Sequence, residues 1–431
     1  MLNVDELERH LVSEMTGPVS FVAEVPMGPG APSFYTYSAV VVAGMQFPRP
    51  HRLTCSGVAL SRARAKEIAL VEAVERYCSA TWDPGSLVFG TYQTLARSFS
   101  LLSPVTCALF HPAQFPGVGY SPFTEDTPLR WTWGYSLTRE IPVLVPACLV
   151  YTGYEFSAAD ETIIGPATTS GAACGETYTF ALLRAVCEVV ERDALMITWW
   201  NRWPRSHVEP GPDSWIQRVF HERFQRPGLE YTLLDISTDI PLVILMCVLI
   251  DRHRLQPMPT LGAAAGFDAE HVALKSLLEA AAMHRGQSRV RSPHRLERPD
   301  DVRFLADHVD FYAFGGREAA LQFLSSSQVR TSLGTLPNYE MPAPGQQLAR
   351  CVRAMRELGL DVIAIDLTRD VAVDVGLKVV KVFIPQLIPI SFGHQRRCLG
   401  GNRLYDVPVK LGFRRTPCTV HELNPDPHPF G

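Results

Sequence analysis

Two patterns of hydrophobic and polar positions alternate along the chain. Short runs rich in β-branched residues and bounded by turn residues, such as 39–42 and 143–145, predict strands. Three longer segments, 65–80, 178–200 and 270–289, have helical periodicity but carry apolar residues on nearly all faces, as is typical of helices packed inside a large domain. The alternation of the two patterns predicts an α/β or α+β fold.

The last third of the chain is less regular. Two strand-like runs, 360–366 and 378–384, precede an extended tail without helical periodicity. Segments rich in proline and glycine at 26–32, 204–212 and 342–346 are typical of either linkers or surface loops. None of them is long enough to establish a domain boundary.

Composition and charge exclude several classes of protein. The chain has 431 residues, of which 46% are hydrophobic and 19% are charged, and because globular proteins carry about 25% charged residues, much of this chain should be buried. A net charge of −4 provides no field that would hold nucleic acid or an anionic membrane surface. The longest apolar stretch, 240–250, is far shorter than the roughly 20 residues that span a bilayer.

The amino terminus and the cysteines bear on location. The chain begins MLNVDELERH, which is acidic and helical, whereas a secretory signal begins with basic residues and an apolar run. The ten cysteines include no CxxC pair and no zinc-finger spacing, and several lie in apolar segments. Buried thiols in a reducing compartment explain them best, so we expect a soluble, cytoplasmic protein.

The first two helical segments share the phrase ExxER. Glutamates three residues apart lie on one face of an α-helix, so each phrase projects two carboxylates and a guanidinium in nearly the same direction. In the second segment Arg184 joins this stripe, and Asp193 points the opposite way. The stripes consist of Glu72, Glu75 and Arg76 in the first segment and of Glu188, Glu191 and Arg192 in the second.

Like charges so close together in apolar helices need a positive partner. Magnesium is one candidate, because it binds a few carboxylates and bridges them to nucleotide phosphates that arginines also hold. The alternative is a solvated pair of glutamates balanced by the neighbouring arginine. Glu279, in the third apolar helix, is a further carboxylate of this kind, although by itself it is typical of a structural charge with a partner.

Small and hydroxyl residues fill positions 168–175, immediately before the second long helix. In such a segment, which includes Thr169 and Ser170, backbone N–H groups can approach a phosphate or ribose at a helix amino terminus. A plain capping loop, with Thr177 as the N-cap, is an equally open interpretation. Neither a Walker P-loop nor a GxGxxG fingerprint is present, so any nucleotide would be bound in a less common way.

The chain ends with alternating prolines, Pro425, Pro427 and Pro429, before Gly431. Prolines in this pattern form a stiff, polyproline-like rod that cannot join a sheet. Such a rod loses little entropy when it docks, so it could enter a site on its own chain or on a neighbour. A disordered terminus is the alternative.

Together these features resemble the YcaO superfamily and, within it, the SagD-like (streptolysin-S-type) cyclodehydratase component. The resemblance covers roughly residues 35–431, which we expect to be one YcaO domain that includes the tail, after an N-terminal extension at 1–34. The matching stretches, in family order, are SGVALSRARAKEIALVEAVERYC, TTSGAACGETYTFALLRAVCEVVERDA, AAGFDAEHVALKSLLEAA, VIAIDLTRDVAVDVGLKVVKVFIPQL, CLGGNRLYDVP and NPDPHPF.

The resemblance implies a YcaO-like α/β (α+β) fold with two related, helix-containing halves around a nucleotide site. It implies an ATP- and Mg²⁺-dependent enzyme that converts Cys, Ser or Thr residues of a ribosomally made precursor peptide into thiazolines or oxazolines. In this family pattern, Pro425, Pro427, Pro429 and Gly431 order the active site. The residues implied to hold ATP are Glu72, Glu75, Arg76, Thr169, Ser170, Arg184, Glu188, Glu191, Arg192 and Glu279, and all five glutamates among them are implied Mg²⁺ ligands.

The resemblance also implies partners. We expect a leader-binding, ubiquitin-activating-like protein to deliver the precursor peptide, a flavin-dependent dehydrogenase to act afterwards, and the chain itself to form a homodimer. Two alternatives stay open: a non-catalytic YcaO-like scaffold, and an enzyme that uses an external nucleophile to make a thioamide or amidine. The prolines of the tail argue against the second alternative.

Three positions depart from the family pattern. Val58 stands where relatives carry a lysine, Ile68 where a serine is usual, and Ala282 where a glutamine is usual. Each substitution replaces a polar group near the implied nucleotide site with an apolar one. Either ATP binds somewhat differently here or this chain is catalytically weak, so the departures keep the scaffold alternative open.

Overall fold

The computed structural model describes residues 3–13, 17–28, 30–43, 51–154, 160–253, 258–287, 296–313 and 317–430. Within these ranges the α-helices are α1 Val4–Leu11, α2 Arg62–Ser79, α3 Tyr92–Leu95, α4 Phe115–Val118, α5 Tyr178–Trp200, α6 Trp215–Val219, α7 Ala269–Gln287, α8 Leu305–Ala313, α9 Pro344–Glu357, α10 Asp370–Val373 and α11 Arg403–Lys410. The strands are β1 Val19–Glu24, β2 Tyr35–Ala43, β3 His51–Ala59, β4 Val88–Thr91, β5 Pro128–Ser136, β6 Ile141–Pro146, β7 Ala172–Gly175, β8 Ser206–Glu209, β9 Leu229–Asp235, β10 Val243–Asp251, β11 Met258–Gly266, β12 Arg330–Ser332, β13 Ile363–Asp366 and β14 Lys378–Phe383.

These strands form three sheets. The first is the antiparallel meander β1-β2-β3, and the second has the antiparallel order β4-β5-β13-β14-β7, with β6 also paired to β5. The third has the order β11-β10-β9-β8-β12, in which β8 and β12 are parallel and the other pairs are antiparallel. The predicted mixed α/β fold is confirmed.

Two parts of the chain repeat one arrangement, a three-stranded antiparallel meander followed by a long helix. In the first, β1-β2-β3 leads into α2, and in the second β9-β10-β11 leads into α7. Each helix packs on the strand before it, closely enough that a Cβ at Gly57 would lie 1.9 Å from the Ala65 carbonyl oxygen and one at Gly262 would lie 2.2 Å from Ala280 N. Only glycine fits such contacts. These are the two related halves that the sequence predicts.

Helix α5 lies between the second and third sheets. It contacts β7 and β14 of the second sheet and β11 of the third. Fourteen of its residues are buried, among them Trp199 and Trp200, because both flanking sheets present apolar side chains to it. Thr177 is its N-cap, with the side chain accepting a hydrogen bond from Phe180 N, as predicted. The helix that carries the second ExxER phrase is thus fixed on two sides.

The long elements agree with the sequence, whereas the last third differs. The three predicted helices correspond to α2, α5 and α7, with ends shifted by up to three residues. The expected absence of helix in the tail region is wrong, because Arg403–Lys410 forms α11, with Pro408 inside it. The segment 204–212 contains β8, and 342–346 begins α9.

The residues before 35 are integrated with those after it. Leu7 and Leu11 of α1 lie in the same buried cluster as α2, and Lys66 of α2 donates a hydrogen bond to Glu8. Strand β1 pairs with β2. These contacts do not decide whether a domain boundary lies at residue 34, which stays a prediction. Across the described ranges, we find no helix long and apolar enough to cross a bilayer.

Candidate functional site

Three helices each carry a glutamate that is anchored in the same way. In each case the carboxylate accepts a hydrogen bond from a backbone N–H in the strand or turn that precedes its own helix. Such a bond holds the carboxylate against the strand or turn that precedes its helix. The anchors join Ser56 N to Glu72 at 3.2 Å, Gly171 N to Glu188 at 3.3 Å and Ala263 N to Glu279 at 3.2 Å.

Gly171 makes the middle anchor possible. Its φ is +81°, in the left-handed region that favours glycine. A Cβ there would lie 2.2 Å from the Val382 carbonyl oxygen and 2.7 Å from a Val189 methyl. The glycine of the TTSG segment is thus required by the contact with β14, which turns its N–H toward Glu188.

The second glutamate of each ExxER phrase is buried. Glu75 is 8% exposed and Glu191 is 5% exposed. Burial raises the pKa of Glu75 to about 8, against the opposing charge of Arg76 and with a contribution from the negative charge of Glu188 on the other ExxER helix. Burial likewise raises the pKa of Glu191 to about 8, with Glu279 adding to the effect. The five predicted glutamates are therefore brought together along α2, α5 and α7.

The two ExxER arginines lie among these carboxylates and keep unused hydrogen-bond donors. Arg76 Nη2 donates to Glu72 at 2.9 Å, and Arg192 Nη2 lies 3.9 Å from Glu188. Among the described residues, Arg76 Nη1 and Arg192 Nε are buried without a hydrogen-bond partner. The nearest carboxylates, Glu75 at 3.9 Å from Arg76 Nη1 and Glu191 at 3.7 Å from Arg192 Nε, are within ion-pair distance but too far for a hydrogen bond. A buried donor without a hydrogen bond is costly, so a ligand is expected to supply the acceptor.

Arg184 is placed less centrally than predicted. Its side chain is exposed and donates to the Cys174 carbonyl of β7 at 3.1 Å. Its charge opposes the rise that burial causes in the pKa of Glu75, so Arg184 lies near the cluster.

Lys381 of β14 is a site residue that sequence reasoning missed. It is 2% exposed and donates a hydrogen bond to the Thr168 carbonyl. Burial lowers the pKa of this ammonium to about 8, against the pull of Glu188, which raises it. A single lysine inside the apolar strand sequence VVKVF was the available signal, since a lysine is almost never fully buried without a partner.

The segment 168–170 and Lys381 form one wall of a mostly apolar cavity. Thr168, Ser170, Arg192 and Lys381 are among its polar lining residues, and apolar residues come from 107–109, from β14 and from the chain that follows β14. Ser170 and Arg192 thus line the same cavity. Thr169 is half-buried next to it and caps a turn, with its carbonyl accepting from Ala172 N.

The donor atoms suit magnesium, but no preformed metal cage exists. Carboxylate oxygen is the ligand that Mg²⁺ prefers. Yet in the part of the chain that the structure describes, no three His, Cys, Asp or Glu side chains lie close enough together to share a metal ion. Mg²⁺ at nucleotide sites is usually held by one or two carboxylates together with phosphate oxygens. The residues fit that mode of binding.

The tail is docked. Pro427, His428, Pro429 and Phe430 are buried, whereas Pro425 is exposed. Gly431, the remaining predicted residue of this segment, lies outside the described residues. The disordered alternative is therefore wrong for 424–430.

Asp193 points away from the glutamates, as predicted. It is fully buried and pairs with Arg403 of α11 at 2.7 Å, while its other oxygen accepts from Ile388 N at 2.9 Å. Arg403 also reaches Asp239 at 2.8 Å. This network fixes the back of α5 and leaves its ExxER face free for the site.

The positions that depart from the family pattern are apolar contacts. Val58 and Ala282 pack against one hydrophobic cluster that includes Phe34 and Leu277. Ile68 is half-buried on α2. No polar group replaces what relatives carry at these positions.

A family model described as YcaO cyclodehydratase, ATP- and Mg²⁺-binding, matches residues 56–388. An uncharacterized protein of Methanothermobacter thermautotrophicus is 28% identical over 348 residues, which are 79% of this chain and 83% of that protein.

Two solved structures share the fold. A heterocyclase in complex with substrate and cofactor has a TM-score of 0.82 and 25% identity, and the match covers 99% of this chain but only 57% of that longer one. The YcaO protein of Methanopyrus kandleri, bound with AMPPCP and Mg²⁺, has a TM-score of 0.63 and 19% identity over 89% of this chain and 88% of that one. The latter likeness establishes the fold alone.

Proposed function

Because the chain belongs to the YcaO family, with a match over residues 56–388, we propose that it is an ATP-dependent, SagD-like cyclodehydratase. Its substrate would be a ribosomally made precursor peptide in which Cys, Ser or Thr residues become thiazolines or oxazolines. The observation that carries the proposal is that carboxylates of α2, α5 and α7 surround Arg76 and Arg192. Among the described residues, the buried Nη1 of Arg76 and Nε of Arg192 have no hydrogen-bond partner and lie 3.9 Å from Glu75 and 3.7 Å from Glu191.

The reaction would remove one water from the peptide. The side-chain oxygen or sulfur adds to the carbonyl carbon of the preceding amide, and the nitrogen loses its proton when the new double bond forms. ATP would supply a phosphoryl group to the former carbonyl oxygen, so that phosphate leaves instead of hydroxide. The products are the azoline peptide, ADP and phosphate.

The chain's own residues would bind and orient. Glu72, Glu188 and Glu279, held by backbone N–H groups, present carboxylate oxygens for Mg²⁺. Arg76 and Arg192 direct their unused N–H groups toward phosphate oxygens. These groups are already in place before the reaction, which is the arrangement that stabilises developing charge most effectively.

Glu191→Gln tests the assignment directly. Removing one carboxylate should lower peptide-dependent phosphate release about 100-fold or more. The reason is that Mg²⁺, which would neutralise the charge on the phosphates, is then held less well. The assay would combine phosphate release with mass spectrometry that counts waters lost per peptide, in the presence of the cognate partner. Glu357→Gln, at an exposed position on α9, is the matched control and should behave as wild type.

Two outcomes would contradict the proposal. Unchanged turnover in Glu191→Gln would refute the site. No nucleotide binding in the wild type, with partner and peptide present, would favour a non-catalytic scaffold.

Partners remain part of this proposal. We infer that a leader-binding, ubiquitin-activating-like protein delivers the peptide, and that a flavin-dependent dehydrogenase can oxidise the azolines afterwards. A homodimer is proposed for the chain itself. Co-purification followed by light scattering checks each of these associations.

A further inference from the structure

One short helix, α8, makes two hydrogen bonds to carbonyl groups of the tail. Tyr312 donates from its hydroxyl to the Pro427 carbonyl at 2.6 Å, and one turn earlier His308 donates from Nδ1 to the His428 carbonyl at 2.8 Å. Both side chains are 1% exposed. Since prolines leave the tail few N–H groups, these two carbonyls are among its main points of attachment.

His308 is fixed in one tautomer. Its Nε2 accepts a hydrogen bond from Gly393 N at 2.9 Å, so the proton lies on Nδ1, where it faces the tail. The ring stacks on that of His428, with centroids 4.0 Å apart and an angle of 15° between the planes. His428 in turn donates from Nε2 to the Ser391 carbonyl at 2.7 Å. Both rings act in their neutral forms.

On its other side the tail lies against α5. Asn424 N donates to the Trp200 carbonyl at 2.7 Å, and Trp199 Nε1 donates to the Asp426 carbonyl at 3.1 Å. Arg192 lies close enough that, after burial and the charge of His308, its own charge also lowers the pKa of His428. The tail therefore runs between α8 and the helix that carries Glu188, Glu191 and Arg192.

We propose that His308 and Tyr312 are positioning residues, which form an α8 clamp that fixes the tail against α5. Through the tail they act on the dehydration step, although neither touches the nucleotide site. The part of this inference that concerns catalysis rests on the proposed function. The part that concerns the clamp does not.

The experiment compares three variants in the full chain with its partner. Tyr312→Phe removes only the hydroxyl that holds Pro427. His308→Asn keeps an N–H near the position of Nδ1, and His308→Leu removes it. The matched control is Tyr231→Phe, because the Tyr231 hydroxyl is buried without a hydrogen-bond partner among the described residues.

Two readouts separate positioning from general damage. Hydrogen exchange of the segment 424–430 should become about tenfold faster in Tyr312→Phe and His308→Leu, because a buried carbonyl loses its donor, and less so in His308→Asn. In the same variants kcat for azoline formation should fall about tenfold, while nucleotide affinity and KM for ATP stay within about twofold. Tyr231→Phe should match wild type in both.

Each other result overturns part of the inference. Wild-type exchange of the tail in Tyr312→Phe and His308→Leu would refute the clamp. Faster exchange with unchanged kcat would refute the positioning role. If the wild type forms no azoline at all, the proposed function fails, and the exchange data still decide whether the clamp exists.

Discussion

Individual buried charges reveal most about this site. Glu75, Glu191 and Lys381 are each no more than 8% exposed, although burying an ionisable group is costly unless something compensates it. The sequence predicted the two glutamates, because ExxER spacing places them on one helix face. Lys381 stood out in the sequence only as a lysine within an apolar strand, because its place in the site depends on Thr168 and Glu188, which are distant in the chain.

Binding of magnesium and nucleotide should release protons. The pKa of Glu191 is raised from its ordinary 4.5 to about 8, so this carboxyl is largely protonated at pH 7, whereas a metal ligand must be ionised. We therefore expect affinity for Mg·ATP to rise between about pH 6 and 8 and then to level off. Calorimetry in buffers of different ionisation enthalpy would measure the proton release, which Glu191→Gln should reduce.

The raised pKa of Glu191 affects stability in the opposite direction: affinity for Mg·ATP rises with pH, whereas the free energy of unfolding falls. Because the folded form holds this proton more tightly, the free energy of unfolding should fall as pH rises from about 4.5 through about 8. Glu191→Gln should flatten that part of the stability curve, measured by urea unfolding at several pH values. A curve identical to wild type would show that Glu191 is not the titrating group.

Lys381→Met should separate stability from binding. The variant removes a buried ammonium whose pKa is lowered to about 8, so the unfolding temperature at pH 7 should stay equal or rise. Nucleotide affinity should fall at least about tenfold, since a charge-assisted contact is lost. Lys378→Met, at the start of the same strand, is the control. Equal affinities for wild type and Lys381→Met would remove Lys381 from the site.

At the scale of elements, length and local pattern decide what the sequence can reveal. Helices α2, α5 and α7 are predictable because each is long and carries apolar residues at helical spacing. Helix α11 is not, because it has eight residues and contains Pro408. Its position depends on Arg403, which reaches Asp193 and Asp239 in other parts of the chain. Long-range ion pairs of this kind leave no periodic pattern in the sequence.

Breaking this ion network should destabilise the whole protein. Arg403→Met leaves Asp193 buried and unpaired, with a side chain that is 0% exposed, and we expect a loss of about 3–5 kcal/mol in the free energy of unfolding. Arg356→Met is the matched control, because Arg356 and Glu140 form a solvent-exposed pair that contributes at most about 1 kcal/mol. Chemical denaturation of both variants measures the difference. Equal losses would contradict the structural role given to Arg403.

For the whole molecule, the tail joins parts that are distant in sequence. The prolines predicted a rod capable of docking, but the surface that receives it could not be read from the chain, since α8 is short and carries no motif. The hydrogen bonds from His308 and Tyr312 of α8 to the tail depend on tertiary packing alone. The convergence of α2, α5 and α7 also depends on tertiary packing. In the sequence, only the family resemblance indicated it.

Deleting residues 425–431 should impair catalysis more than binding. Azoline formation should fall about 100-fold or more, while nucleotide affinity stays within about twofold, as expected when positioning is lost and ground-state binding is kept. The unfolding temperature should also drop, because His428 and Phe430 are buried. Glu357→Gln, at an exposed position on α9, is the control. Full-rate dehydration by the truncated protein would refute a catalytic role for the tail.

The docked tail also has a consequence for the order of folding. Its contacts span 115 residues to α8 and 227 residues to α5, so they close long loops and are expected to form late. During synthesis, both receiving helices emerge well before the segment they bind. Substitutions at these contacts should then accelerate unfolding while leaving the folding rate nearly unchanged. The enzyme would acquire its completed site only in the last step of maturation, after the rest of the core has formed.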